Sequence, residues 1–172
     1  MIDGTDAAIL RILQENARTS NAEIGRQVGL ATSAVFERIR KLEERGIIRG
    51  YTAIVDPKSL DAGLLAFIQA RAEERVGTQA TAEALARIPE VLEVHHIAGE
   101  DCAIAKVRVK DTDALAKLLR DDFGKIKTLK STRTTIVLST VKESSRIPLP
   151  EDPEKSDSPE REKGKESEVV RG

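Results

Sequence analysis

Aromatic side chains are scarce. Of 172 residues none is Trp, one is Tyr and three are Phe, so any core must be built from aliphatic side chains. A single cysteine excludes an internal disulfide framework. With two histidines and that one cysteine, no paired-Cys or spaced-His set for a structural zinc is available, and no metal is expected. No apolar run approaches the roughly 20 residues that span a bilayer. The opening residues 1–6 hold neither a basic stretch nor an apolar one, so no export signal is expected, and the cytoplasm is the expected compartment. An excess of one charge is also lacking. The chain has 28 Lys and Arg against 29 Asp and Glu, a formal net charge of −1. That excludes a globally basic nucleic-acid coat protein. It leaves room for a local basic face, because DNA binding needs a patch and not a total.

What is present is 40% hydrophobic and 33% charged residues, enough for one ordinary domain or two small ones. Residues 144–172 hold four of the six prolines, Pro148, Pro150, Pro153 and Pro159, and little apolar content beyond Ile147, Leu149, Val169 and Val170. Such a segment buries too little surface to offset its chain entropy and reads as a disordered tail.

The N-terminal third reads as three helices. Ala8, Ile9, Ile12 and Leu13 recur at helical spacing over about residues 5–15. Ser20-Asn21-Ala22-Glu23 has the form of a capping box opening a second helix, which stops at Gly29. A third runs from Thr32 or Ser33 to Arg45 and stops at Gly46, with Val35, Ile39 and Leu42 as its inward stripe. Residues 47–55, β-branched and holding Tyr51, read as a strand ended by Asp56-Pro57.

The middle of the chain alternates differently. Strands are expected over 64–72, 91–98, 103–109 and 129–141, with helices over 78–88 and 112–123. The order β-α-β-β-α-β is the ferredoxin-like plan, an antiparallel sheet with both helices on one face. Ile68, Val94, Ile104, Val107 and Val137 suggest apolar content on both faces, which favours a dimer formed through the sheet. The fold class is therefore α+β. A helix-turn-helix unit occupies 1–51, a linker strand and turn 52–63, a ferredoxin-like domain 64–143 and the tail 144–172.

Two short helices joined around Gly29 form a helix-turn-helix over residues 21–40, opening at Asn21 and closing at Arg40. Its second helix would lie in the major groove of double-stranded DNA. Thr32, Ser33, Ala34, Glu37, Arg38, Arg40 and Lys41 are the candidate DNA-binding residues. Arg and Lys neutralise phosphates or pair with guanine edges, Ala34 can meet a thymine methyl, and Glu37 can accept from a cytosine amine or orient a neighbouring cation. The bland alternative is a three-helix bundle with a solvated basic face.

The chain from Asp3 to about Glu143 resembles the Lrp/AsnC family, the feast/famine transcription regulators. The resemblance lies in Asp6-Ala7-Ala8-Ile9-Leu10, Ala17-Arg18, Val28-Gly29-Leu30, and Val35-Phe36-Glu37-Arg38-Ile39-Arg40-Lys41-Leu42-Glu43. It continues in Gly46-Ile47-Ile48-Arg49-Gly50-Tyr51, Pro89-Glu90-Val91, residues 95–99, and Thr132-Arg133-Thr134-Thr135-Ile136-Val137-Leu138. It implies a winged helix-turn-helix DNA reader over 1–51 joined to an amino-acid-sensing domain that assembles dimers, which in this family often build octamers or disks. Two departures stand out. The family usually places Ser at the start of the recognition helix, where this chain has Ala31. The cap bond then passes to Thr32 or Ser33 or is lost, at about 1 kcal/mol. The sensing turn reads Gly99-Glu100-Asp101-Cys102-Ala103, with its acid shifted by one position and no aromatic.

A zwitterionic amino acid needs an acceptor for its ammonium and donors for its carboxylate. Glu100 or Asp101 can supply the first, and backbone N–H groups around Gly99 with the hydroxyls of Thr132 and Thr134 the second. Gly99, Glu100, Asp101, Cys102, Thr132 and Thr134 are thus the candidate effector site; the plain alternative is a hairpin turn that only reverses the chain. His95 and His96 are adjacent on a strand and point to opposite faces, so they cannot chelate one ion together. No cofactor, catalytic residue or membrane partner is expected. Two other readings are a tetrapyrrole decarboxylase on the same two-domain plan, using His95, His96 and Arg108, and a DNA-architectural protein of low sequence preference.

Overall fold

The computed structural model describes residues 2–75, 78–99 and 102–149. Two compact units emerge. Residues 2–52 together with 144–149 form one, and the described residues between 53 and 143 form the other.

The first unit holds α1 (Gly4–Glu15), α2 (Asn21–Val28) and α3 (Thr32–Glu44). Ile9, Ile24 and Val35, one from each helix, are fully buried together, with Ile12, Leu13, Val28, Leu30 and Ile39 packed around them. Asp3 caps α1, its carboxylate accepting from the Asp6 N–H at 2.7 Å. Ser20 caps α2, its hydroxyl accepting from the Glu23 N–H at 3.2 Å. The reciprocal half of the expected capping box is replaced: the Glu23 carboxylate accepts from Arg26 at 2.7 and 3.0 Å and from Gln27 at 2.6 Å. Two long donors on the same helix face outcompete one backbone N–H. Gly29 takes the left-handed exit, at φ 72°.

The strand expected over 47–55, and with it a wing, is not formed. Those residues have no regular structure, and Ile54 is 94% exposed. A strand exists only through a ladder, and no described strand of this chain lies beside that segment.

The second unit opens with a short 3-10 turn (Lys58–Leu60) and holds β1 (Leu64–Ala72), α4 (Ala80–Leu85), β2 (Val91–His96), β3 (Ala103–Val109), α5 (Thr112–Asp121) and β4 (Leu129–Ile136). The sheet order is β2-β3-β1-β4 with every pair antiparallel, the ferredoxin-like arrangement. β4 ends five residues earlier than expected because β1 ends: Val137 gives its N–H to Leu65 at 2.9 Å, and beyond Leu64 there is no strand to pair with.

Strand alternation sorts the sheet. Ala66, Ile68, Ala70, Ala103, Ala105, Val107 and Val109 are buried with Leu85, Leu115, Leu118 and Phe123. The alanines leave room for side chains from the helices to sit close on the strands. The other face also carries apolar side chains, Leu65 and Phe67 opposite Arg108 and Lys106, set among charged ones. Of the apolar residues named from the sequence, Ile68, Val94 and Val107 all belong to the covered side, leaving Ile104 and Val137 for the open one. There Lys106 pairs with Glu93 at 3.0 Å and with Glu143, and Arg108 pairs with Glu143 at 3.0 Å. The Glu143 hydrogen bond raises the Lys106 ammonium's proton affinity, and Lys106 holds the Glu93 and Glu143 carboxyls below their ordinary range.

The segment that follows the sheet lacks regular structure through residue 149, yet it is tied to α1. The Gln14 side-chain amide accepts from the Ile147 N–H at 2.7 Å and donates to the Ile147 carbonyl at 3.0 Å. Arg146 stands 3.8 Å from Glu15. The rest of the tail expected to be disordered lies outside the described residues.

Candidate nucleic-acid interface and effector turn

The turn between α2 and α3 is tight. Leu30 donates to the Gly25 carbonyl at 2.9 Å, and a Cβ on Gly25 would stand 2.5 Å from the Leu30 oxygen. No larger residue fits there without opening the turn. This closeness sets α3 across α2 and presents the α3 outer surface.

Val35 and Leu42 face inward, so the opposite ridge carries Ser33, Glu37 and Arg40, with Lys41 beside it. All four are exposed, as is Thr32, while Ala34 and Arg38 are half-buried on the flank. Ala31 is the N-cap and makes no side-chain cap bond, and neither Thr32 nor Ser33 takes over that role. Arg40 pairs with Glu37 at 2.8 Å and also with Glu44, and holds the Glu37 carboxyl below its usual range. Lys41 makes no close ion pair with a described residue. Arg38, a candidate DNA-binding cation, is paired within the helical unit. Its Nη1 donates at 2.7 Å to Asp3 and at 2.7 Å to Asp6. The Asp6 N–H, and then Arg38, hold the Asp3 carboxyl low. A cavity of about 310 Å³ on this flank is lined by Asp6, Ala34, Glu37, Arg38, Lys41, Leu42 and Arg45.

Sequence reasoning also missed Tyr51. Its hydroxyl donates to Glu43 at 2.9 Å, and burial followed by that hydrogen bond pushes its pKa up to about 12.

In the sheet unit, the turn after β2 is closed by Ile97 donating to the Cys102 carbonyl at 3.0 Å. Cys102 gives its N–H to the Ala70 carbonyl at 2.9 Å and its thiol to the same oxygen at 3.3 Å. Ala70 pairs on one side with Ala103 and on the other with Thr132. The turn and Thr132 therefore meet at one end of the sheet, two strand spacings or about 10 Å apart. Thr134 follows on the same face, opposite Ile68. Gly99 has φ 140° and open space where a Cβ would stand. Glu100 and Asp101 lie outside the described residues. His95 pairs opposite Ile104 on the open face, and His96 opposite Ala103 on the covered one. Among the described residues no three His, Cys, Asp or Glu side chains stand close enough to hold a metal ion, and no helix is long and apolar enough to cross a membrane.

A helix-turn-helix unit joined to a βαββαβ unit with an open turn at its sheet end defines a class, the ligand-responsive transcription regulators. Residues 2–43 match the AsnC-type helix-turn-helix domain, and residues 65–147 match the Lrp/AsnC ligand binding domain. The chain belongs to the Lrp/AsnC family of DNA-binding transcription regulators. It is 38% identical to the HTH-type transcriptional regulator FL11 of Pyrococcus horikoshii, over 86% of this chain and 97% of that protein. It is likewise 38% identical to the leucine-responsive regulatory protein of Salmonella typhimurium, over 85% of this chain and 90% of that protein. A Neisseria meningitidis transcriptional regulator solved with L-methionine superposes with a TM-score of 0.79 at 29% identity, covering 87% of this chain and 97% of that one.

Proposed function

We propose that α3 reads the major groove of an operator through Thr32, Ser33, Ala34, Glu37, Arg40 and Lys41. The observation that carries this is the exposed ridge of α3, held out by the Gly25 turn in a segment matched to a DNA-binding domain. Arg40 is shared with two glutamates and is freed for DNA only by exchanging them for phosphate or guanine, which makes Lys41 the readier cation. Its test is the salt dependence of binding. Lys41→Ala lowers the slope of log K against log salt by about one if Lys41 meets a phosphate. An unchanged slope and affinity would remove the assignment.

The effector in this reading is a free amino acid held at the turn bearing Gly99 and Cys102, with Thr132 and Thr134 beside it. Support comes from the open backbone at Gly99 and from a related regulator solved with L-methionine. Glu100 or Asp101 would take the ammonium. Calorimetry against the common amino acids tests this, and no binding by any of them would overturn it. The working form is at least a dimer, because one reader per chain meets a two-fold operator with two half-sites about 34 Å apart or a multiple of that. A monodisperse monomer by light scattering would overturn it. The chain acts in the cytoplasm, by binding and not by catalysis.

A further inference from the structure

We propose that Arg38 is a positioning residue, which locks the recognition helix α3 to the N-terminus of α1 and does not itself touch DNA. This rests on the reading of α3 as the DNA-contacting helix.

The lock is built from three groups. One nitrogen of Arg38, Nη1, donates to both Asp3 and Asp6 at 2.7 Å. Asp3 is not a free surface carboxylate: its other oxygen caps α1 by accepting from the Asp6 N–H. Asp6 lies in the first turn of α1, where the helix dipole favours a negative charge, and its side chain is only 11% exposed. Moving Arg38 out to a phosphate would leave that carboxylate enclosed and unpaired, the costly way to break an ion pair. The two aspartates also outnumber the single guanidinium, so the cluster as a whole repels DNA.

The lock supplies what apolar packing does not. Val35 and Leu42 hold α3 to the core, but apolar contacts are non-directional and set rotation about the helix axis only loosely. Two charge-assisted hydrogen bonds from one point on the helix flank are directional. They fix the angle at which Ser33, Glu37, Arg40 and Lys41 are presented, and small angular errors there displace side chains from base edges.

The test uses the full chain and a duplex enriched from a random pool by the wild type. Asp6→Ala gives opposite signs for the two roles. If Arg38 met a phosphate, removing a nearby negative charge and freeing the guanidinium would strengthen binding. The lock instead requires weaker binding, by about tenfold. Arg38→Met, which keeps the aliphatic stem, should weaken binding by a similar factor with an unchanged salt slope, whereas Lys41→Ala lowers the slope by about one. Melting of Asp6→Ala, Arg38→Met and the double variant supplies a cycle that needs no DNA, and the double should be no less stable than the worse single. Asp6→Asn replaces Asp6→Ala in every arm should the latter not fold. Additive melting shifts, or a slope lowered by about one in Arg38→Met together with tighter binding by Asp6→Ala, would overturn the proposal. A wild type that enriches no sequence would overturn the DNA reading and the positioning role with it, while the melting cycle would still report the pairing itself.

Discussion

Tyr51 is the chain's one tyrosine and there is no tryptophan, so its ionisation can be followed without interference. Its phenol is pushed up to about 12 from an ordinary 10.0, first by burial and then by Glu43. An acid whose folded pKa is raised contributes stability that is complete below the unfolded value and is lost as pH rises through the folded one. Phenolate absorbance should therefore rise near pH 12 in the folded chain and near pH 10 in denaturant. Glu43→Gln should lower the folded midpoint only part of the way, because burial remains. A folded midpoint at 10 would show that Tyr51 is free in solution. Ala31 gives a second expectation. The start of α3 has no side-chain cap, so Ala31→Ser should stabilise the chain by about 1 kcal/mol, read as a rise of a few degrees in melting temperature. No change would mean that the serine takes no cap geometry there. Residue roles were the least legible level of the sequence. Ser33, Glu37 and Arg40 were placed on the outer ridge by helical period alone. The pairing of Arg38 was not legible, because its partners Asp3 and Asp6 are more than thirty residues away and a period of 3.6 cannot name a partner.

Elements were more legible, because their signals are local. The α2 stop at Gly29, the stripe of Val35, Ile39 and Leu42, and the alternating runs of β1 and β3 each carry their own pattern, and they fold where that pattern lies. Two elements were not legible for one shared reason. Residues 47–55 have strand composition without a strand beside them, and residues 144–149 have tail composition with a partner on α1. In both cases a distant partner decides. The second case leads to a measurement. Gln14 mimics a strand neighbour, pairing with both backbone groups of Ile147, and such exposed bonds are each worth about 0.5–1.5 kcal/mol at most. Truncation after Glu143 should lower the melting temperature by a few degrees, and Gln14→Ala should reproduce most of that loss in the full chain. If truncation leaves melting unchanged, the segment adds nothing to the helical unit.

At the scale of the whole molecule, the reader and the effector turn lie in different units, linked by the chain near residue 52 and again near residue 143. On the open sheet face Lys106 and Arg108 are held by Glu93 and Glu143. A ligand at the turn can change DNA affinity only if it binds one arrangement of the molecule more tightly than another. Such coupling is typically about 1–3 kcal/mol, a five- to 150-fold modulation and not an all-or-none gate. Linkage then makes a demand that an independent site would fail. If an amino acid changes the affinity for operator DNA by some factor, the operator must change the affinity for that amino acid by the same factor, in the same direction. Titrating the amino acid into the free chain and into the operator complex measures the second factor, and titrating DNA with and without the amino acid measures the first. Thr132→Val, which removes one hydroxyl beside the turn, should weaken the amino acid in both titrations and leave DNA affinity without amino acid unchanged, since the reader lies elsewhere. Gly99→Val should do the same more strongly, because at φ 140° no branched side chain sits without strain. Unequal factors would mean that the two titrations do not share one equilibrium. Equal factors left untouched by both variants would put the effector at a different place on the molecule.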